Sequence, residues 1–113
     1  MNNNMFYALA PPIRREILRI IASRGKIPAA DIIKQCSVSG AAISQHLKVL
    51  REANLVKVEK KAQQRIYQIN VDGLLEINTW TLQLTNLWNE RFEKLDNLLE
   101  IEKKRQRKNK GKD

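Results

Sequence analysis

The segment Ser37–Val56, SVSGAAISQHLKVLREANLV, constrains the chain more than any other stretch. Ser37, Ser39 and Gly40 make a short polar turn, and a serine in that place satisfies the open backbone donors of the helix that follows. Ile43, Leu47 and Leu50 then recur at spacings of four and three, which predicts a helix with one buried stripe. Ala42, Ser44, Gln45, His46 and Lys48 fall mostly between those positions. Such a surface, rich in small and amide side chains, suits the major groove of DNA, where these groups read base edges. A helix-turn-helix that binds DNA is the implied module.

The run S44-Q45-H46-L47-K48-V49-L50, closed by R51-E52-A53-N54-L55-V56, resembles the signature of the ArsR-type winged-helix repressors. P11-P12-I13-R14-R15-E16-I17-L18 is similar to that family's Pro-x-Arg-x-x-Ile-Leu opening, and the likeness extends from about Ala8 to Val71, more loosely to about Leu99. Asn54 stands where the family usually has Gly. Asn tolerates a left-handed backbone better than most residues, so the turn should survive.

The resemblance implies a mainly α winged helix-turn-helix with a two-stranded β wing and a long C-terminal dimerisation helix. A first helix over 3–9 bears Met5, Phe6 and Leu9. Pro11 and Pro12 open a second, Ile13 to about Arg24, with Ile13, Ile17, Leu18, Ile20 and Ile21 inward and Arg14, Arg15, Glu16 and Arg19 on the wet side; Gly25 ends it. Pro28 opens a third, carrying Ala29 or Ala30, Ile32, Ile33 and Cys36 inward. LVKVEKK and RIYQINV alternate apolar with polar residues, which predicts a hairpin with Val56 and Val58 opposite Ile66 and Ile69 or Tyr67. Asp72 is a candidate cap for a final helix of roughly thirty residues without Gly or Pro.

Carried over position by position, the resemblance makes Ser39, Gly40, Ala41, Ala42, Ser44, Gln45 and His46 the DNA-facing candidates. Gln45 is the best base reader, because its amide pairs bidentately with adenine. Ala41 and Ala42 suit thymine methyls but are less polar than the family's usual choices. Lys48 and Ser44 suit phosphates, and for His46 phosphate contact or structural support ranks ahead of base reading. In the wing, Lys61 and Arg65 lead, with Gln63 and Gln64 behind.

On the final helix Ile77, Trp80, Leu84, Leu87, Trp88, Phe92, Leu95, Leu98 and Leu99 form a stripe too long for a small core to cover. A second copy would cover it, with Phe6 joining and Trp80 and Leu84 nearer the core. The expected partner is double-stranded DNA carrying an inverted repeat, bound by a homodimer.

The net charge of +9 separates into two parts. Seven Lys and Arg against Asp113 give residues 103–113 a charge of +6, and 14 basic against 11 acidic side chains leave +3 for residues 1–102. Residues 1–102 are therefore expected to form the folded DNA-binding and dimerisation domain, and 103–113 a basic, disordered tail. Within the domain Lys57, Lys60, Lys61 and Arg65 cluster against Glu59 alone, as a phosphate-binding surface or a solvated hairpin.

Relatives that sense metals would need cysteines where this chain has Ile33 and Gln35, or histidines on the final helix, which has none. No metal or cofactor is expected. The single Cys36 excludes an intramolecular disulfide and reads as a buried small hydrophobe or as a thiol sensor shared across a dimer. One His, one Cys and no phosphate loop leave no catalytic constellation, so no enzyme is expected. No apolar run reaches the ~20 residues of a membrane span, and the N-terminus lacks the pattern of a signal peptide; the expectation is cytoplasmic. The resemblance suggests a repressor of its own or a neighbouring operon. No motif specifies an effector: release could come from a ligand wedged near Trp80 and Trp88 or from protein level alone. Two other readings compete, a nonspecific nucleoid-type binder driven by the tail and a protein-interaction adaptor.

Overall fold

A computed structural model of the chain describes residues 4–110, with side chains through Arg107. It comprises two compact units, Met1–Ile77 and Asn78–Asp113.

The first unit is built from α1 (Asn4–Leu9), α2 (Pro12–Arg24), β1 (Lys26–Pro28), α3 (Ala29–Gln35), α4 (Gly40–Glu52), β2 (Val56–Lys61) and β3 (Gln64–Ile69). Pro12 opens α2, where its missing N–H costs nothing and its fixed φ suits the helix. Gly25, at φ 84°, stops it. The apolar stripes expected of α2, α3 and α4 converge: Ile17, Ile21, Ile32, Ile43, Leu47 and Leu50 are buried in one core with Ile27, Leu55 and Tyr67. Each such side chain, fully buried, contributes roughly 1.5–3 kcal/mol. Met5 and Ala8 are the buried residues of α1, while Phe6 is 39% exposed.

The hairpin forms in the expected place. Val56 pairs with Ile69 and Val58 with Tyr67, and Ala62 and Gln63 make the turn. Ala62 takes a positive φ of 55° and Gln63 does not, the sign pattern of a type II′ turn that ordinarily has Gly there. The sheet has three strands rather than two, in the order β1-β3-β2. β1 pairs antiparallel with β3 through Lys26↔Gln68, Ile27↔Tyr67 and Pro28↔Ile66. Three residues that follow a Gly and end on a proline carry no legible alternation; only Ile27, fully buried, signals the strand.

The turn from α4 into the wing is a Schellman motif. Asn54 has φ 62°, its N–H donates to the Arg51 carbonyl, and the Leu55 N–H donates to that of Leu50. Gly73 packs against this turn: a Cβ there would overlap the Asn54 carbonyl oxygen and lie 2.9 Å from its carbon.

α5 spans Val71–Lys110. Asp72 lies inside its first turn rather than capping it. Asn70 holds the preceding position, its N–H donating to Leu55 and its carbonyl accepting from Leu74. The expected disordered tail is a second correction, since residues 103–110 continue the helix. Lys, Arg, Gln and Glu are good helix formers, and cations in the last turns complement the helix dipole. Arg105 also lies 3.8 Å from Glu102 one turn back. Lys112 and Asp113 fall outside the described residues.

Within the second unit the stripe is open. Leu87, Trp88, Phe92, Leu95, Leu98 and Leu99 are all more than half exposed; Leu84 is 49% and Trp80 38% exposed, so neither is buried as deeply as expected.

Candidate nucleic-acid interface

α4 begins as the sequence suggests. The Ser39 hydroxyl accepts from the Ala42 N–H at 3.2 Å, fixing the start of the helix and therefore which residues lead it. At 3.6 residues per turn, Ala41, Ser44, Gln45 and Lys48 share an arc of roughly 100°, and all four are exposed. Opposite them lies the buried stripe.

The other candidates on α4 are placed differently. Gly40 is half-buried against α3, where a Cβ would meet Ile33 Cδ1 at 3.4 Å. Ala42 and His46 are also half-buried. The structure therefore brings four of the helix candidates onto one open face and leaves Gly40, Ala42 and His46 at its margin.

His46 is held by Arg14 of α2. Arg14 Nε donates to His46 Nδ1 at 3.1 Å, its Nη1 donates to the Tyr7 carbonyl at 3.1 Å, and its guanidinium sits 5.0 Å from the centroid of the Tyr7 ring. Arg14 is 8% exposed, so the expectation that it lies on the wet side of α2 is wrong. A buried guanidinium persists only with its donors engaged, and these contacts engage it. An arginine Nε can only donate, so Nδ1 accepts and a neutral His46 carries its proton on Nε2. Burial first, and the Arg14 charge second, lower the His46 pKa below its ordinary value. One side chain thus ties α4 to α1 and α2. Its signal was present in the sequence as an arginine in the family's opening motif, but helical periodicity alone assigned it to solvent.

In the wing Lys61, Gln63 and Arg65 are exposed at or beside the tip. The register sets Lys60, one of the basic cluster expected of the hairpin, directly opposite Arg65. Like charges placed opposite each other across strands destabilise a hairpin, an arrangement an anion relieves. Arg65, Gln63 and Gln64 also line a cleft of about 280 Å³ with Pro28, Ala29 and Ala30.

Cys36 is half-buried, and burial, with Glu16 adding to it, raises the thiol pKa. That holds it as the protonated, poorly nucleophilic form. Among the described residues no three His, Cys, Asp or Glu side chains are grouped to hold a metal ion, and no helix is long and apolar enough to cross a membrane.

A capped, half-exposed helix following a polar turn, backed by two helices and flanked by a basic hairpin, defines a winged helix-turn-helix protein. Residues 9–59 match the helix-turn-helix domain family. The chain is 33% identical over 84 residues to the transcriptional repressor SdpR of Bacillus subtilis (strain 168), covering 74% of this chain and 92% of that protein. It is 38% identical over 73 residues to the arsenical resistance operon repressor of the same organism, covering 62% of this chain and 70% of that one. In fold it resembles an ArsR-like transcriptional regulator from Rhodococcus sp. RHA1, with a TM-score of 0.73 at 24% identity over 84% of this chain and 89% of that one. The chain belongs to the ArsR family of winged helix-turn-helix transcriptional regulators. It is a DNA-binding regulator of transcription, of a family whose members here are regulators rather than enzymes.

Proposed function

We propose that the chain acts as a homodimeric repressor of its own or a neighbouring operon, binding an inverted repeat in double-stranded DNA. The exposed face of α4 carries this reading: Ala41, Ser44, Gln45 and Lys48 lie together, open and anchored at a capped helix start. Gln45 reads adenine through its amide, and Ala41 offers a methyl to thymine. Ser44 and Lys48 hold phosphates and set the register. Ser39 and Gly40 bring the backbone close at the helix start, and Ala42 lines the margin of the same face.

His46 supports rather than reads. Its Nδ1 is occupied by Arg14, which leaves only Nε2–H to donate to a phosphate. Lys60, Lys61 and Arg65, with Gln63 at the turn, place the wing on backbone or minor groove. The two opposed cations, Lys60 and Arg65, gain most from a phosphate between them.

The stripe of α5, with Phe6, is the proposed dimer surface. Two copies present two reading helices to successive major grooves, roughly 34 Å apart on B-DNA. No metal ion or cofactor takes part in this reading.

A Gln45→Ala, Arg65→Ala double variant tests the assignment. Each site is exposed, so folding should persist, while discrimination between operator and random duplex falls by roughly 1–3 kcal/mol for the lost base contact. A double variant that selects the same sequence with the same discrimination refutes the placement of the site.

A further inference from the structure

Arg14, at 8% exposure, lies too deep to meet a phosphate itself, yet it decides what His46 offers to one. We propose that Arg14 is a positioning residue for DNA binding: it fixes His46 as the tautomer whose Nε2–H meets a backbone phosphate as a neutral donor. The inference rests on the reading of α4 as the DNA-facing helix, and on neither the operator nor the dimer.

The guanidinium is pinned on three sides. Nη1 is held on the Tyr7 carbonyl at 3.1 Å, the group lies 5.0 Å from the Tyr7 ring centroid, and Nε gives its one hydrogen to His46 Nδ1 at 3.1 Å. The anchor on α1 is itself fixed. Met5 and Ala8 are buried, and Arg15 Nη1 donates to the Leu9 and Ala10 carbonyls at 2.8 Å each. An arginine Nε cannot accept, so Nδ1 must, and the proton of a neutral His46 stays on Nε2. The two ring nitrogens point away from each other. With Nδ1 turned to the buried arginine, Nε2–H is the end of a half-buried ring left for an outside acceptor.

A neutral contact sets His46 apart from the lysines and arginine of the wing. Protonation would place a hydrogen on Nδ1 against the Nε hydrogen and set two cations side by side, so the charged form loses its anchor. Burial, and then the Arg14 charge, already disfavour that form. Arg14 on α2 is the charged group that meets His46, and Tyr7 on α1 reaches it only through Arg14. The charges on α3 and β2, the other elements packed against α4, leave it unmoved. A histidine that simply brings charge to a phosphate strengthens binding in acid. One held by Arg14 does the opposite. His46 is the only histidine of the chain, so no second imidazole blurs the comparison.

Fluorescence anisotropy on a mixed-sequence duplex tests the role, because phosphate contacts carry no sequence information. At fixed salt and about pH 7.5, His46→Ala and Arg14→Met should each weaken binding about three- to tenfold. The double variant should bind no more weakly than either alone, since Arg14 acts through His46. Wild-type binding by His46→Ala, or a double loss equal to the product of the single ones, would overturn the proposal. The slope of log affinity against log salt should be the same in every variant. A slope shallower by about 0.9 per contact in Arg14→Met would put Arg14 itself on a phosphate and overturn the indirect role. At about pH 5.5 the advantage of wild type over His46→Ala should shrink, and an advantage that grows in acid would overturn the neutral donor. If circular dichroism shows either variant unfolded, Arg14→Lys and His46→Gln take their place. Lysine keeps the charge but brings one nitrogen where two are needed, so it should lose the same factor; binding at wild-type strength would overturn the part played by Nε. Glutamine keeps an acceptor for Arg14 and an N–H for the phosphate, and should bind within about twofold of wild type; a loss as large as that of Arg14→Lys would overturn the tautomer assignment. Wild type that ignores the duplex at low salt would overturn the DNA-facing reading of α4, and this role with it.

Discussion

Gly73→Ala separates helix propensity from packing, because the two predict opposite signs. Alanine is favoured over glycine by about 1 kcal/mol within a helix, and Gly73 lies in the first turns of α5, so propensity alone predicts a gain. The structure predicts a loss. A Cβ at residue 73 would overlap the Asn54 carbonyl oxygen and stand 2.9 Å from the carbonyl carbon, with Leu55 N at 3.6 Å. The obstacle is backbone rather than a side chain that could rotate aside. It is fixed by the Schellman bonds from Asn54 N to Arg51 O and from Leu55 N to Leu50 O, both 3.0 Å. Overpacking of this kind typically costs about 1–3 kcal/mol. Set against the gain of about 1 kcal/mol in propensity, this leaves a net loss of about 1 kcal/mol. At roughly 4–8 °C per kcal/mol for a domain of this size, the thermal midpoint should fall by roughly 4–8 °C. Thermal unfolding followed by circular dichroism, at one protein concentration for both proteins, reads it. A midpoint equal to or above the wild type would refute the close approach of α5 to Asn54.

Removing the cap with Ser39→Ala should cost about 1 kcal/mol in urea unfolding, since it frees the Ala42 N–H. Asn54→Gly should leave stability unchanged or raise it by up to about 1 kcal/mol, because φ 62° suits Gly better than any side chain; a clear loss would show that the Asn54 side chain has a role the turn does not require. The His46 pKa is lowered in the folded chain, so below its ordinary 6.5 the unfolded chain binds more protons than the folded one. Stability is therefore full above that pH and declines as pH falls toward the folded-state value. Urea midpoints at about pH 5.5 and 7.5 should show the decline in the wild type and a smaller one in His46→Gln.

Much of the fold was legible because hydrophobic periodicity and backbone chemistry agreed in the same segments. Ile43, Leu47 and Leu50 stated α4, Ser39 stated its start, and Asn54 stated the turn that ends it. Val56, Val58, Tyr67 and Ile69 announced the hairpin through simple alternation, which left Ile66 and Tyr67 both open as partners; the structure pairs Val58 with Tyr67. The departures share a cause, which is that the deciding partner lies far away in sequence. Arg14 looks solvent-facing until Tyr7 and His46, the latter 32 residues on, supply its hydrogen bonds. Three residues of β1 become a strand only because β3 offers an edge. Lys60 was legible as part of the basic cluster, but only the register sets it opposite Arg65. In the last turns of α5, composition suggested disorder, while local propensity and pairing with Glu102 support a helix. The candidate face was legible in part: Ala41, Ser44, Gln45 and Lys48 share it, and structural support was one of the roles expected of His46, but Arg14 as its partner was not legible.

In the proposed function, this chain reads one operator as a two-fold symmetric pair. Selection from a random duplex library at moderate salt tests it most directly. An enriched inverted repeat, with half-sites about one helical turn apart and discrimination that survives deletion of residues 103–113, is the predicted result. Enrichment of no sequence, with binding that vanishes as salt rises, would contradict it and leave only charge-driven association with DNA.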